Sequence, residues 1–338
     1  MRTTLKPSNT NDINPKLLTI LRCPKCGSSI LPSLRCSSCN EQYSTTGSVI
    51  QFLDSSKFQD VYTIHEFYEG MADYNVGYIP GESRLKDWAF FELCKSGLMG
   101  QLKQVIERFE SSDLTAVEFA CGGGIAWVAS LATTVGVDIS LSSLQVAANV
   151  YDLTLQADIR DVPLADNCAD LVWGSYFYEH LNSRDKDLAL GEMYRTLKPG
   201  GWCILQFDSL GDNALMRFAR HDTERFEKGF VVNDGHIGLE PLPQAIERIA
   251  NCGFKIRRVM KFGTTPLQYL VVYNWLCMGY KDKYRLVRLL DTFKDALASR
   301  RIGFYWELAV TAFDRAINPF SKASKATIAI VVSQKAEE

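Results

Sequence analysis

The chain has 338 residues, with 46% hydrophobic, 11% aromatic and 22% charged residues and 11 prolines, which excludes global disorder and collagen-like sequence. That length exceeds the roughly 150 residues of an average domain, so a large core with an appended module, or two domains, is expected. The net charge of −2 supplies no overall basic excess for nucleic acid. No apolar run approaches the roughly 18 to 20 residues that span a bilayer, and residues 1–15 hold no signal-peptide core, so a cytoplasmic protein is expected. The average hides an asymmetry, because residues 111–212 carry nine surplus acidic side chains and residues 213–338 seven surplus basic ones. Unlike surfaces of one molecule attracting each other is one reading; an anionic substrate or partner held by the C-terminal part is another.

The first feature along the chain is Cys23-x2-Cys26, nine residues, then Cys36-x2-Cys39. Each C-x2-C lets two thiolates wrap one face of a tetrahedral ion, and Gly27 permits the tight turn after the second ligand. Four thiolates leave no open position, so the spacing predicts a structural Zn2+ that supplies folding energy to a segment too small for a core of its own. Apolar residues on either side, Leu17, Leu18, Ile20 and Leu21, then Tyr43, Val49, Ile50, Phe52 and Leu53, supply short strands to close over the metal. Residues 17–53 resemble the small zinc ribbons at the front of some bacterial methyltransferases, including ribosomal-RNA guanine methyltransferases, although those usually carry histidine where this chain has Cys39. A zinc-ribbon module over residues 1–55 is expected. Residues 56–112 scatter aromatics (Phe58, Tyr62, Phe67, Tyr68, Tyr74, Tyr78, Trp88, Phe90, Phe91) and show helical spacing at Leu98, Leu102, Val105, Ile106 and Phe109, which predicts a helical linker. Its aromatics serve core packing, or residues 67–78 form a lid over a ligand.

Residues 115–120 form a short apolar strand that runs into Cys121-Gly122-Gly123-Gly124, and residues 125–131 have helical character: strand, glycine turn, helix. About 20 positions after Glu118 a second strand ends in Asp138, where a carboxylate can bind both hydroxyls of a ribose. Glu118 beside the turn repels a pyrophosphate but suits a cation, which favours S-adenosylmethionine (SAM), with its ammonium and sulfonium, over a nicotinamide dinucleotide. With these residues in view, segment 117–124 resembles the first motif of the seven-stranded, class I SAM-dependent methyltransferases, with Ala120 in place of the usual first glycine.

That resemblance implies further assignments. Strand 153–157 ends in Asp158, placed at the adenine amino group, with Ile139 and Ile159 on the faces of the ring. Strand 169–175 ends at Ser175 and Tyr176, beside the methionine moiety. The cofactor set is thus Glu118, Ala120, Gly122, Gly124, Asp138, Ile139, Asp158, Ile159, Ser175 and Tyr176. A helix over 185–197 leads through Lys198-Pro199-Gly200-Gly201 into strand 202–207, a turn typical of the family. The implied fold is α/β, a doubly wound, seven-stranded, mostly parallel sheet with helices on both faces, its core over 113–262. Residues 263–324 read as a helical cap insertion bearing Tyr269, Tyr273, Trp275, Leu276, Met278, Tyr280, Phe304, Tyr305 and Trp306, either a core-packing helix pair or an apolar cap over an aromatic or lipid-like substrate. Residues 325–338 hold the final strand and tail.

Methyl transfer is a one-step displacement for which the protein supplies alignment and a dry cavity. Where the acceptor must lose a proton, His180, His221 and His236 are the candidate bases. The leading reading is transfer to an O, N or C nucleophile of a small molecule, aromatic, lipid-like or a biosynthetic intermediate. The alternatives are an RNA base methyltransferase using the zinc ribbon for recognition, and a non-catalytic SAM-binding scaffold.

Overall fold

The computed structural model describes residues 15–54, 56–69, 84–88, 97–109, 114–265, 276–277, 279–298 and 300–337. Nine strands form one sheet: β1 (Ser44–Thr46), β2 (Val49–Gln51), β3 (Thr115–Phe119), β4 (Thr133–Asp138), β5 (Leu153–Gln156), β6 (Ala169–Ser175), β7 (Leu197–Asp208), β8 (Lys255–Phe262) and β9 (Ile328–Gln334). Their order is β1-β2-β5-β4-β3-β6-β7-β9-β8. The ladders β2–β5, β5–β4, β4–β3, β3–β6 and β6–β7 are parallel, whereas β1–β2, β7–β9 and β9–β8 are antiparallel. β3, β4 and β5 are buried at nearly every position, as strands covered on both faces must be, which is why they read as continuous apolar runs. β8, at the edge, carries Lys255, Arg257, Arg258 and Lys261, charges that discourage edge-to-edge pairing.

The count departs from the expected seven strands. Seven come from residues 115–334, and the hairpin β1–β2 adds two more by pairing β2 in parallel with β5. The cysteine segment was expected to lack a core of its own, and it shares one. Leu17, Leu21, Ile30, Ile50 and Phe52 lie in the same buried cluster as Val117, Val137, Leu155, Leu190 and Phe207. The helix Gly97–Ile106 covers the opposite face through Leu98, Leu102, Val105 and Ile106, packed with Trp173, Ile204 and Ile330. The Lys198–Gly201 turn is drawn into β7, where the register to β6 jumps from Ala169–Leu197 to Leu171–Trp202 and Gly200 takes φ +74°. Those residues form a bulge rather than a break between elements.

In the linker, the helix Val61–Glu69 is described, while the rest of the expected lid, residues 70–78, and Phe90 and Phe91 lie outside the described residues. In the cap, Tyr269, Tyr273, Trp275 and Met278 also lie outside them. The helices Arg285–Ala298 and Arg300–Ile317 are present, and Leu276, Cys277, Tyr280 and Val287 form a third apolar cluster with Met216, Ala219 and Phe226. Among the described residues, no helix is long and apolar enough to cross a membrane.

Candidate active site

The strand order reverses at β3, whose neighbours are β4 and β6, and in open α/β sheets ligands bind at such a switch point, outside the carboxyl ends of the strands. A cavity of about 360 Å³ lies there, within the range of small-molecule sites. All ten residues read from sequence as cofactor contacts line it, namely Glu118, Ala120, Gly122, Gly124, Asp138, Ile139, Asp158, Ile159, Ser175 and Tyr176. Ile64 and Tyr68, from the helix Val61–Glu69, complete the wall. That helix is fixed over the site by Glu69, whose carboxylate accepts from Ser140 Oγ and the Ser142 amide, both at 2.9 Å.

Glu118 is buried, and its two oxygens accept from the Tyr151 hydroxyl and from Trp173 Nε1, the latter at 2.8 Å. Tyr151 in turn accepts from the Ile125 amide at 2.7 Å, tying the glycine turn to the carboxylate. Burial, reinforced by the Asp138 charge, pushes the Glu118 carboxyl up to about 8. Asp138 accepts from the Gly122 amide at 2.8 Å and the Ser140 amide at 2.9 Å; its own carboxyl is also raised, chiefly by burial. The turn is tight, with φ +52° at Ala120, +51° at Gly122 and +80° at Gly124. Ala120 therefore holds a left-handed conformation that an alanine adopts at a cost.

Asp158 is held by its near neighbour Arg160. Arg160 donates to both of its oxygens, from the backbone amide and Nε to Oδ1 (2.9 and 3.0 Å) and from Nε and Nη2 to Oδ2 (3.0 and 2.6 Å). Three N–H groups of one residue thus hold the carboxylate in place, the Nε hydrogen being shared between its two oxygens, and Asp158 remains on the cavity wall. Arg160 also meets Asp60 at 2.9 Å and Asp185 at 3.3 Å, and its guanidinium lies 4.1 Å from the centre of the Phe58 ring. Linker, β5 end and the helix Ser183–Thr196 are joined through this one side chain.

Two of the three candidate bases come together. His180 lines the cavity, and its ring centroid lies 5.0 Å from that of His236. Burial lowers the pKa of both, to about 4 for His236, so both are neutral imidazoles at pH 7. His221 is exposed at the C-terminal end of the helix Ala214–Arg220 and is not among the cavity-lining residues; nothing in the described structure gives it access to a substrate held there. Tyr151, Trp173, Arg160 and Glu69 escaped the sequence reading. A glycine inside β4 was the available signal for Tyr151, because a Cβ at Gly136 would sit 2.7 Å from that ring.

The four cysteines converge as their spacing implies. Cys23 and Cys36 are buried, Cys26 and Cys39 exposed, and all four sulfurs lie within 4.8 Å of one another, with Cys23–Cys39 at 3.6 Å and Cys26–Cys36 at 3.4 Å. Sulfurs bound at about 2.3 Å to a tetrahedral zinc stand about 3.8 Å apart, so the donor set fits. Gly27 (φ +73°) and Asn40 (φ +59°) follow the second cysteine of each pair in left-handed conformation, and the Ser38 amide donates to Cys36 Sγ at 3.4 Å.

Residues 117–205, which run from β3 into β7 and carry most of the cavity wall, match the family model described as a methyltransferase domain. The chain is 30% identical over 114 residues to a malonyl-[acyl-carrier protein] O-methyltransferase from Pectobacterium atrosepticum, an alignment covering 32% of this chain and 44% of that protein. It is 35% identical over 107 residues to a protein of the same description from Enterobacter lignolyticus, covering 29% of this chain and 40% of that one. The chain thus spans less than half the length of these curated relatives. Similar solved structures include Haemonchus contortus phosphoethanolamine N-methyltransferase 2 (19% identity, TM-score 0.44, 70% of this chain and 53% of that one). Another is geranyl diphosphate C-methyltransferase from Streptomyces coelicolor A3(2) (12% identity, TM-score 0.44, 70% and 75%).

Proposed function

We propose that this chain is a SAM-dependent methyltransferase that transfers a methyl group to an O, N or C nucleophile of a small molecule by in-line displacement. The observation that carries the reading is the convergence of all ten sequence-selected residues on one cavity at the switch point of the sheet. The methyltransferase-domain match over the same strands supports it. An oxygen acceptor is the first to test, because the curated relatives described above are O-methyltransferases acting on a carrier-bound malonyl group.

SAM, when bound, supplies a methyl group on a cationic sulfur. The chain's own residues then have distinct tasks. The glycines at 122 and 124 let the backbone approach the ligand closely. Asp138 spends one lone pair of each oxygen on a backbone amide and keeps the others for ribose hydroxyls. Glu118 offers a carboxylate to the amine, Ile139 and Ile159 offer apolar walls, and Ser175 and Tyr176 border the reacting end. Asp158, steadied by Arg160, offers an acceptor to the adenine amino group. His180, neutral and on the cavity wall, is the base best placed to take an acceptor proton; His236 stands behind it. In the module of residues 1–55, Cys23, Cys26, Cys36 and Cys39 hold a structural Zn2+.

The RNA alternative draws no support from the cap, where Lys281 pairs with Asp291 at 3.1 Å, Lys283 with Asp222 at 2.7 Å and Arg225 with Asp282 at 3.1 Å. Arg300 and Arg301 lie where side chains are outside the described set. The test combines calorimetric titration with S-adenosylhomocysteine (SAH) and incubation with methyl-labelled SAM and cell extract, the label then partitioned among RNA, protein and small molecules. SAH binding with label in the small-molecule or carrier-bound fraction is expected. Absence of SAH binding overturns the reading, and label removed by ribonuclease replaces the substrate class.

A further inference from the structure

Behind His180 lies a group of donor atoms for which methyl transfer gives no account. One donor atom from each of Glu179, His180 and His236 lies within 4.8 Å of the others. Glu179 is 1% exposed, and neither of its carboxylate oxygens accepts a hydrogen bond. Its favourable neighbours are the backbone amides of Glu179 and Asp208, outside hydrogen-bond geometry, and the charge of Lys186. That lysine is already committed to the Gly238 carbonyl and, at 3.2 Å, to Glu240. A second carboxyl group stands nearby, Asp208 Oδ2 lying 4.0 Å from His236 Nε2. A buried carboxylate with no partner is costly unless it is protonated or meets a cation.

The histidines are set up for the second of these. His180 Nδ1 lies 3.0 Å from the Gly235 carbonyl; a proton on Nδ1 donated there leaves the Nε2 lone pair free. The Nδ1 of His236 is buried without a partner, and its Nε2 stands 4.0 Å from Asp208 Oδ2. An imidazole held on one nitrogen by a backbone carbonyl, as His180 is, with the other nitrogen bare, is the usual arrangement of metal-bound histidine. The loop that brings His236 here is seated closely: the Gly238 amide donates to the Glu179 carbonyl at 2.8 Å, and a Cβ at Gly238 would fall 1.8 Å from the Leu181 carbonyl oxygen. Only glycine allows that approach.

We propose that Glu179, His180 and His236 bind one divalent first-row transition-metal cation beside the cavity, with Asp208 at its margin. Two imidazoles and one carboxylate form a donor set used by zinc and non-haem iron sites that keep open coordination positions. Because His180 lines the cavity, an open position there would face whatever occupies it, and with the cation bound His180 Nε2 is a ligand and no longer the base named above. Only this last consequence, an acceptor oxygen held by the cation, rests on the methyltransferase reading.

The experiment uses the full-length protein with its cysteine site loaded with zinc. It is titrated with Mn2+, a hard ion that thiolates do not favour, and followed by electron paramagnetic resonance and elemental analysis. One Mn2+ per chain beyond the cysteine-bound zinc is expected. Glu179→Gln and His236→Asn should each weaken binding about tenfold or more, with zinc content and circular dichroism unchanged. A wild-type protein that takes up no Mn2+, Co2+ or second Zn2+ overturns the proposal, and Glu179 is then a protonated buried acid. Mn2+ binding that survives both variants also overturns it. Should either variant fail to fold, His180→Asn and the wild-type metal count still decide. SAH binding to the same samples is measured separately, so failure of the metal site and failure of the methyltransferase reading give different results.

Discussion

Ala120 stands in a left-handed conformation where glycine would stand without strain. The strain costs roughly 1–2 kcal/mol, and glycine's greater freedom in the unfolded chain returns roughly 0.5–1 kcal/mol of it. Ala120→Gly is therefore expected to stabilise the protein by up to about 1 kcal/mol, read from urea unfolding. Glu118 carries a pH-dependent prediction. Its folded-state pKa, about 8, is raised above the ordinary 4.5, so the stability it contributes is fully present below about pH 4.5 and is lost as the pH rises through about 8. On the proposed reading a ligand amine favours the ionised carboxylate, so binding expels a proton. SAH affinity should then rise from about pH 6 to about pH 8, with proton release visible in buffers of different ionisation enthalpy. Glu118→Gln should flatten that rise; an unchanged profile would remove Glu118 from the amine contact.

At the scale of elements, the cavity is assembled from pieces distant in sequence. Arg160 has 4% of its side chain exposed and holds Asp158 and Asp185, which are 11% and 12% exposed, together with the more open Asp60. Removing it strands buried carboxylates, so Arg160→Ala should cost about 3–5 kcal/mol in chemical denaturation. It should also speed amide exchange in the helix Val61–Glu69, which follows Asp60 directly. What sequence made legible here was local: β6 runs over 169–175 as read, β4 ends in Asp138, and the glycine turn lies where strand and helix periodicity meet. Arg160, Tyr151 and the Glu179–His236 meeting were not legible, because each depends on loops returning from tens of residues away.

For the whole molecule, the expected count of seven strands missed the two that the cysteine segment contributes. No periodicity in Val49–Gln51, a strand of three residues, announces that its partner is β5. The consequence for stability is direct. Leu21, Ile50 and Phe52 belong to the main buried cluster, so on the proposed reading of the four cysteines as a zinc site, loss of the metal should open that cluster as well as the segment itself. Structural zinc is worth roughly 10–16 kcal/mol in small modules, comparable with the whole stability of a protein. A strong zinc chelator, or Cys36→Ser, is therefore expected to lower the melting temperature markedly and to promote aggregation through the bared edge of β5. A melting curve indifferent to both would argue that the sulfurs hold no metal.

The same pairing also orders events in time. β2 meets β5 across 105 residues at the Gln51–Gln156 side-chain contact. On a ribosome adding about 5–20 residues per second, the hairpin waits roughly 5–20 s for its partner strand. Its four thiols need no such wait, since Cys23 to Cys39 emerge together. On the proposed zinc reading, ion capture comes first, handing the growing sheet a preformed edge on which the later parallel strand docks, and sparing it part of the slow search for a long-range register.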